Sequence, residues 1–226
     1  MALFRTSRLT LIAPRISACL ALAGALGASF EAHAVSLRVV AGAGYENMQV
    51  EKDDDNDKTP KPATGYTLEA LGEVGFLDTV PGFSLLAGGG LRTSSLTVKE
   101  DDIRGTLNPT MLAAEFGAEF SLIPLLRVQA IAGYDLGIAG GAKVEGKIQN
   151  AVTGNSVTIS ETYDFDTFGR FGLTGRLLFS VAPFLSVGLE PTWYTGNYKL
   201  ESKNGFKPDE AKYTGYAAKA VVAFTL

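Results

Sequence analysis

The stretch LRVQAIAGYDL, residues 126–136, decides the fold of this chain of 226 residues. Apolar side chains occupy every second position, and Arg127, Gln129 and Asp135 lie at the positions between them. A period of two is typical of a β-strand that has one apolar and one polar face. The stretch also has the length that a tilted strand needs to cross a membrane, ~9–11 residues.

The same alternation recurs along the chain, so that eight strands are predicted in all. No apolar run after Val35 approaches the ~20 residues of a membrane helix. FSLIPLLRV at 120–128 resembles FSVAPFLSV at 179–187, which makes a hairpin the repeating unit. The other seven predicted strands are Leu37 to Tyr45, Tyr66 to Phe76, Phe83 to Arg92, Leu112 to Phe120, Arg170 to Val181, Leu185 to Trp193 and Gly215 to Leu226.

The predicted connections fall into two classes, as in outer-membrane barrels with short turns at one rim and long loops at the other. The three short ones contain proline, which blocks strand extension, and are Leu77 to Gly82, Leu122 to Leu125 and Ala182-Pro183. The four long ones are Glu51 to Thr64, Lys99 to Thr110, Gly140 to Thr167 and Lys199 to Lys212. Alternation at residues 157–160 predicts that one hairpin continues above the membrane, where its edge would offer backbone groups to a partner.

Alternation alone does not identify the face that contacts lipid, since a soluble lipocalin-like barrel alternates equally with its apolar face inward. Aromatic residues at both strand ends favour lipid on the apolar face, because membrane barrels carry an aromatic girdle at each interface. The girdle by the short turns would contain Phe76, Phe83, Phe120, Phe179, Phe184 and Phe224. The girdle toward the long loops would contain Tyr45, Tyr66, Tyr134, Trp193 and Tyr216.

The opposite face carries nearly balanced charges, which predicts mutual ion pairing inside a narrow lumen. An unpaired charge would be costly there. Eight strands leave an interior only wide enough for side chains, so a wide aqueous pore is disfavoured. The predicted lumen ion network comprises Arg38, Glu69, Glu73, Arg92, Glu115, Glu119, Arg127, Asp135, Arg170, Arg176, Glu190 and Lys219, and Glu46 lies on the same face.

The first 34 residues are predicted to form a cleavable signal peptide, and residues 35–226 are predicted to form the barrel domain. A positive start with Arg5 and Arg8 precedes the apolar run Ala18 to Phe30, and Ala32-His33-Ala34 has the small-x-small pattern of a signal-peptidase site. Cleavage is therefore expected after Ala34, for export to the outer membrane.

Two other interpretations of this segment are a lipoprotein modified at Cys19 and an uncleaved helical anchor. The lipoprotein fits less well because the apolar run follows Cys19 instead of preceding it. The anchor is disfavoured by Arg15 within the candidate span and by the small-residue end.

Cleavage would remove the only cysteine, Cys19, and the only histidine, His33. A disulfide framework, a Cys/His metal site and a histidine-dependent nucleophile are thereby excluded from the mature chain. Three Arg and one Glu also leave, so that the net charge changes from −4 to −6. A negative chain is not expected to bind nucleic acid.

Taken together, these features resemble the family of small eight-stranded outer-membrane barrels that includes the OmpA transmembrane domain and OmpX-like proteins. The resemblance is one of pattern over nearly the whole mature chain, and it implies lipid, lipopolysaccharide and the outer-membrane assembly machinery as partners. The closing strand resembles the C-terminal assembly signal of such barrels through Tyr216, Val222, Phe224 and Leu226. It departs in ending on Leu226, where such signals usually end on Phe.

One acidic run is a weak candidate for a cation site. Asp53, Asp55 and Asp57 alternate as at the start of an EF-hand loop, but Lys58 replaces the needed Gly and Thr64 the bidentate Glu. A solvated extracellular loop is the simpler interpretation, and no cofactor is predicted.

The sequence thus predicts a non-enzymatic barrel with a structural or surface-interaction role carried by its long extracellular loops. A narrow OmpW-like channel for small or apolar solutes is the first alternative. A lipid-A-modifying enzyme is the second, although the enzymes of this kind that the resemblance suggests use a histidine that the mature chain lacks.

Overall fold

The structure is a computed structural model that describes residues 36–51, 62–100, 103–149, 156–201 and 210–226. The predicted signal peptide and the acidic candidates Asp53, Asp55 and Asp57 lie outside the described residues. No helix in this part of the chain is long and apolar enough to span a membrane. The strands are β1 Ser36–Val50, β2 Ala63–Val80, β3 Phe83–Glu100, β4 Ile103–Ile123, β5 Leu126–Gln149, β6 Ser156–Ala182, β7 Leu185–Leu200 and β8 Ala211–Thr225.

The eight strands form one closed barrel in chain order. Each strand runs antiparallel to the next, and β1 closes the ring against β8 from Arg38↔Thr225 to Val50↔Tyr213. Closure satisfies the backbone hydrogen bonds between strands without leaving a sheet edge in lipid, where an unpaired amide is costly. The prediction of an eight-stranded antiparallel up-and-down barrel is confirmed.

Three two-residue turns join strand pairs at one end, at Pro81-Gly82, Pro124-Leu125 and Pro183-Phe184. Gly82 has a φ of 77°, a conformation that glycine adopts without the steric cost of a side chain. The predicted turn at 77–82 was too wide, because β2 continues to Val80, which pairs with Phe83 after a register shift.

Two of the four predicted long loops are largely strand. Between β3 and β4 pairing continues to Glu100↔Ile103, so the predicted loop from Lys99 to Thr110 was wrong. Between β5 and β6 it continues to Gln149↔Ser156, so most of the region from Gly140 to Thr167 is a hairpin above the barrel, as the alternation at 157–160 indicated. The predicted loops at 51–64 and 199–212 lie mostly outside the described residues; β1 ends at Val50 and β2 begins at Ala63, and β7 ends at Leu200 and β8 begins at Ala211.

The part of this hairpin that stands beyond the barrel, together with the start of β4, is called the protruding sheet. It consists of residues 103–107, 141–149 and 156–164. Register shifts lie at its base, between Thr110 and Met111 in the β4–β5 pair and between Phe165 and Thr167 in the β6–β7 pair. Each shift inserts an extra residue, which changes the side of the strand on which the following side chains lie.

The two faces of the barrel differ in chemistry as predicted. The outer face exposes large apolar residues on every strand, such as Val39, Leu68, Phe116 and Leu173, which are 44 to 55% exposed. The inner face buries charged residues, several of them below 5% exposure. This is the reverse of a soluble barrel and defines a membrane-spanning one, whose short turns face the periplasm.

The inner face also has apolar layers that the sequence did not indicate. One cluster lies at the end nearer the loops and is called the apolar cap; its buried members are Met48, Ala63, Leu96, Met111, Phe168, Tyr194, Tyr213 and Ala217. A second cluster contains Val40, Leu71, Ala113, Leu178, Val221 and Ala223. Charged and apolar side chains together fill the interior.

Candidate functional site

The lumen holds the largest group of charged residues in the described chain. All twelve residues of the predicted network are placed on the inner face. Arg127 is the most accessible, with 16% of its side chain exposed. The eleven buried ones are Arg38, Glu69, Glu73, Arg92, Glu115, Glu119, Asp135, Arg170, Arg176, Glu190 and Lys219.

Arg92 on β3 binds carboxylates from three other strands. Its Nε donates to Glu69 Oε2 at 2.9 Å, its Nη2 to Glu115 Oε1 at 2.8 Å and its Nη1 to Asp135 at 2.7 Å. A guanidinium offers its donors in a planar fork, which suits it to several carboxylates at once. Arg92 therefore ties β2, β4 and β5 together across the lumen.

Arg176 on β6 and Lys219 on β8 extend this network. Arg176 donates to Glu190 through Nε, and Lys219 bridges Glu190 and Glu69 through Nζ. Since Glu69 also binds Arg92, the ion pairs made by Arg92 and those made by Arg176 and Lys219 form one continuous network. Ion pairs in a dry interior resist separation, because removal of one partner leaves a buried charge.

Toward the loops, the network ends beneath the apolar cap. Arg170 donates to Asp135 and, at 2.7 Å, to Glu46 Oε1. The Tyr194 ring lies 4.7 Å from the Arg170 guanidinium carbon, a cation–π contact. The Tyr213 hydroxyl donates to a backbone carbonyl at 3.1 Å.

Toward the short turns, Arg38 donates to both oxygens of Glu119 at 2.8 and 3.2 Å. Arg127 is held less tightly, since its nearest carboxylate oxygen, on Glu119, is 3.7 Å away and its hydrogen bonds go to Ser180 and Ser186. Arg127 is therefore the most loosely held cation of the network.

Sequence reasoning missed the apolar cap because it assigned apolar residues to lipid. The period of two contained a signal for part of it: with Trp193 outward, Tyr194 must lie inward. Six basic and seven acidic side chains, counting Glu46, share the lumen with these apolar residues. A lumen filled in this way braces the strands against one another.

The outer face carries the predicted aromatic residues. The group toward the loops is about half exposed, from Tyr45 at 48% to Tyr66 at 57%. The residues of the predicted C-terminal assembly signal also lie outward, with Tyr216 52%, Phe224 44% and Leu226 78% exposed and Val222 half-buried.

The protruding sheet exposes aliphatic side chains outside the membrane band. Ile103, Val144 and Ile159 are 55, 41 and 50% exposed. Gly146 pairs with both Ile103 and Ile159, so the two isoleucines flank a position without a side chain. A Cβ placed at Gly146 would meet no atom within 4 Å, so this position is open.

The face of the three aliphatic residues also carries Glu161, which is exposed and pairs with Val144. The other face of the protruding sheet has no large apolar side chain in its β5 strand and is more polar. Lys143 Nζ lies 2.6 Å from Glu145 Oε1 on β5. The hydrogen bond and the positive charge from Lys143 hold the pKa of the Glu145 carboxyl below its usual range. Among the residues that the structure describes, no group of three or more His, Cys, Asp or Glu side chains is arranged to hold a metal ion.

An apolar exterior, two aromatic belts and a closed ring with buried charges define the chain as a transmembrane β-barrel of the bacterial outer membrane. No family model matches the chain, and no curated protein matches it in sequence.

Several solved structures are similar to it. The attachment invasion locus protein Ail of Yersinia pestis is 15% identical, with 83% of this chain and 98% of that one covered and a TM-score of 0.39. Neisserial surface protein A is 11% identical over 85% and 99%, with a TM-score of 0.46. OprG of Pseudomonas aeruginosa is 5% identical over 84% and 95%, with a TM-score of 0.40.

Proposed function

We propose that this protein is a non-enzymatic surface-interaction protein of the outer membrane, whose contact surface is the protruding sheet. The observation that carries the proposal is the exposure of Ile103, Val144 and Ile159 on one face of that sheet. Grouped aliphatic residues on a water-exposed surface are typical of a binding site for another macromolecule.

The height of the patch places it in water instead of lipid. Gly146, between the two isoleucines, lies twelve residues along β5 from Tyr134 of the upper aromatic belt. With a rise of ~3.3 Å per residue and a tilt of ~40°, the patch is roughly 30 Å beyond the belt. Lipid therefore does not account for these apolar side chains.

The lumen supports a role that depends on the surface. Its ion pairs and apolar cap fill the interior, which disfavours the alternative of a narrow channel. The predicted mature chain has no histidine and no cysteine, which disfavours the lipid-A enzyme. Recognition of the outward C-terminal strand by the assembly machinery and contact with lipopolysaccharide stay predictions.

The test compares two adjacent residues on opposite faces of the protruding sheet. Bacteria that display the protein should adhere to a layer of epithelial cells, or to each other, more than the same strain without it. Ile159→Asp should abolish this difference, because it replaces one of the three aliphatic side chains by a second carboxylate on the face that already carries Glu161. Ser160→Asp adds the same charge on the opposite face and should leave adhesion unchanged.

A heat-dependent shift in gel mobility checks that both variants fold as barrels. The proposal is wrong if the displayed wild-type protein causes no adhesion, or if the two variants adhere equally well.

A further inference from the structure

The lipid-facing surface of β3 to β6 contains a groove of about 590 Å³. Its floor includes Ala118, Ala130 and Gly175, and Phe116 and Leu173 are among its walls. The wall side chains project into the membrane, since Phe116 is 55% and Leu173 51% exposed. The groove is thus a recess in the surface that already contacts lipid.

Strand register explains the recess. Ala118 pairs with Ala130, and Ala130 pairs with Gly175, so three small residues lie side by side across β4, β5 and β6. In the next row, Ala132 lies between Phe116 and Leu173, which stand above it on either side. A Cβ built on Gly175 would meet no atom within 4 Å, so no neighbouring side chain occupies the floor.

We infer that this groove holds an acyl chain of a phospholipid from the periplasmic leaflet. The groove is continuous with the lipid-facing surface, and no charged side chain lines it. The one hydroxyl residue in its lining, Thr174, has its Oγ1 2.9 Å from Thr192 Oγ1, a hydrogen bond within the lumen. The lining therefore favours a hydrocarbon over a lipid headgroup.

The position of the groove across the membrane indicates which leaflet it faces. The two girdles place the floor between the membrane interfaces: Ala118 is two residues from Phe120 of the girdle by the short turns, whereas Ala130, its partner, is four residues from Tyr134 of the girdle toward the loops. At ~3.3 Å per residue on tilted strands, the floor is roughly 5 Å from the periplasmic girdle and roughly 10 Å from the other, so it lies in the half of the apolar band nearer the periplasm. An acyl chain in this half belongs to a phospholipid of the periplasmic leaflet.

Packing explains why a chain would stay in the groove longer than elsewhere on the barrel. Between protein and lipid tails there is little hydrophobic driving force, so dispersion contacts decide the association. A chain in the groove gains contacts from the floor and from both walls, whereas a chain on the flat surface gains them from one side.

The experiment uses the full-length protein in vesicles of dimyristoyl phosphatidylcholine that contain a trace of chain-spin-labelled phosphatidylcholine. We expect electron paramagnetic resonance to detect motionally restricted chains around the wild-type barrel. Gly175→Leu and Ala130→Leu fill the floor and should lower the restricted population. Ala220→Leu adds the same kind of side chain to the outer face of β8, away from the groove, and should leave it unchanged.

Circular dichroism and heat-dependent gel mobility must show that all variants are folded. Equal restricted populations in the wild type and in both floor variants would overturn the inference. Loss of a chemically cross-linked dimer in Gly175→Leu would also overturn it, because a second barrel would then occupy the groove. A restricted population that forms only after lipopolysaccharide is added would contradict the assignment to phospholipid.

Discussion

The lumen and the protruding sheet are built from the same strands, yet their inner faces have opposite chemistry. Within the barrel, the inner face of β5 and β6 carries Asp135 and Arg170, which are 3 and 5% exposed. Beyond the barrel, the face that continues the lumen wall carries Val144 and Ile159, which are 41 and 50% exposed. Inside the barrel this face is lined by paired, buried charges, whereas beyond the barrel it exposes aliphatic side chains to water beside one carboxylate, Glu161, which pairs with Val144.

The difference between the two regions distinguishes side chains that are stabilised by contacts within the chain from side chains that would be stabilised by a partner. The buried charges are balanced by partners within the chain, so their position is explained by the barrel itself. The exposed aliphatic side chains gain little from the fold, and their position is explained by a partner. The register shifts at the base of the protruding sheet let the two regions differ, because they reset which residues lie inward.

The largest effect is expected from removal of Arg92. Arg92→Met leaves Glu115 with only a 3.6 Å contact to Arg176, while Glu69 and Asp135 keep other cations. Breaking a buried ion pair in this way should lower the free energy of unfolding by about 3–5 kcal/mol. Denaturant titration of the barrel in vesicles measures the loss.

Two further variants sharpen this prediction. Arg92→Met combined with Glu115→Gln should recover part of the stability, because the uncompensated charge is gone. Arg127→Met removes a partly exposed cation whose contacts are mainly with serine hydroxyls, and should cost roughly 1–2 kcal/mol. Equal losses for Arg92→Met and Arg127→Met would contradict the distinction between a cation bound by three carboxylates and one bound mainly by serine hydroxyls.

The sequence predicted the strands and their two faces, because period two over about ten residues is a local signal. It could not predict which charges pair. Arg38 binds Glu119 and Arg170 binds Glu46, contacts that join residues 81 and 124 positions apart. Such contacts depend on the stagger of strands around the closed ring, which alternation within one strand does not encode.

The ends of the hairpins were placed wrongly for a different reason. Apolar alternation weakens where lipid stops, and only residues 157–160 indicated that a hairpin continues, whereas backbone pairing extends to Glu100↔Ile103 and Gln149↔Ser156. Glycines and register shifts interrupt the pattern at the base of the protruding sheet, so the residues beyond looked like loops. The apolar cap, which includes Met111, was not predicted because the apolar residues of each strand were assigned to the lipid-facing side.

A smaller effect should separate two apolar residues of the same strand. Met111 is fully buried in the apolar cap, and Ile103 is 55% exposed in the protruding sheet. Met111→Ala should cost about 2–4 kcal/mol, since it leaves a cavity in a packed interior. Ile103→Ala should cost less than about 1 kcal/mol, because few contacts are lost. Similar losses would indicate that the protruding sheet is packed as tightly as the lumen.

The smallest effect concerns the polar face of the protruding sheet, where Lys143 contacts Glu145 in water. The hydrogen bond and charge of Lys143 lower the pKa of the Glu145 carboxyl in the folded protein. A lowered folded-state pKa means that the contact stabilises the fold above the ordinary Glu pKa of about 4.3, and that this contribution is lost as the pH falls through the folded-state pKa. Carboxyl titration by nuclear magnetic resonance in detergent micelles should therefore give a lower midpoint for wild-type Glu145 than for the Lys143→Met variant.

High salt should bring the two midpoints together, because an exposed ion pair is screened, whereas the buried pairs of the lumen should respond much less. Identical midpoints at low salt would mean that this contact does not form in solution.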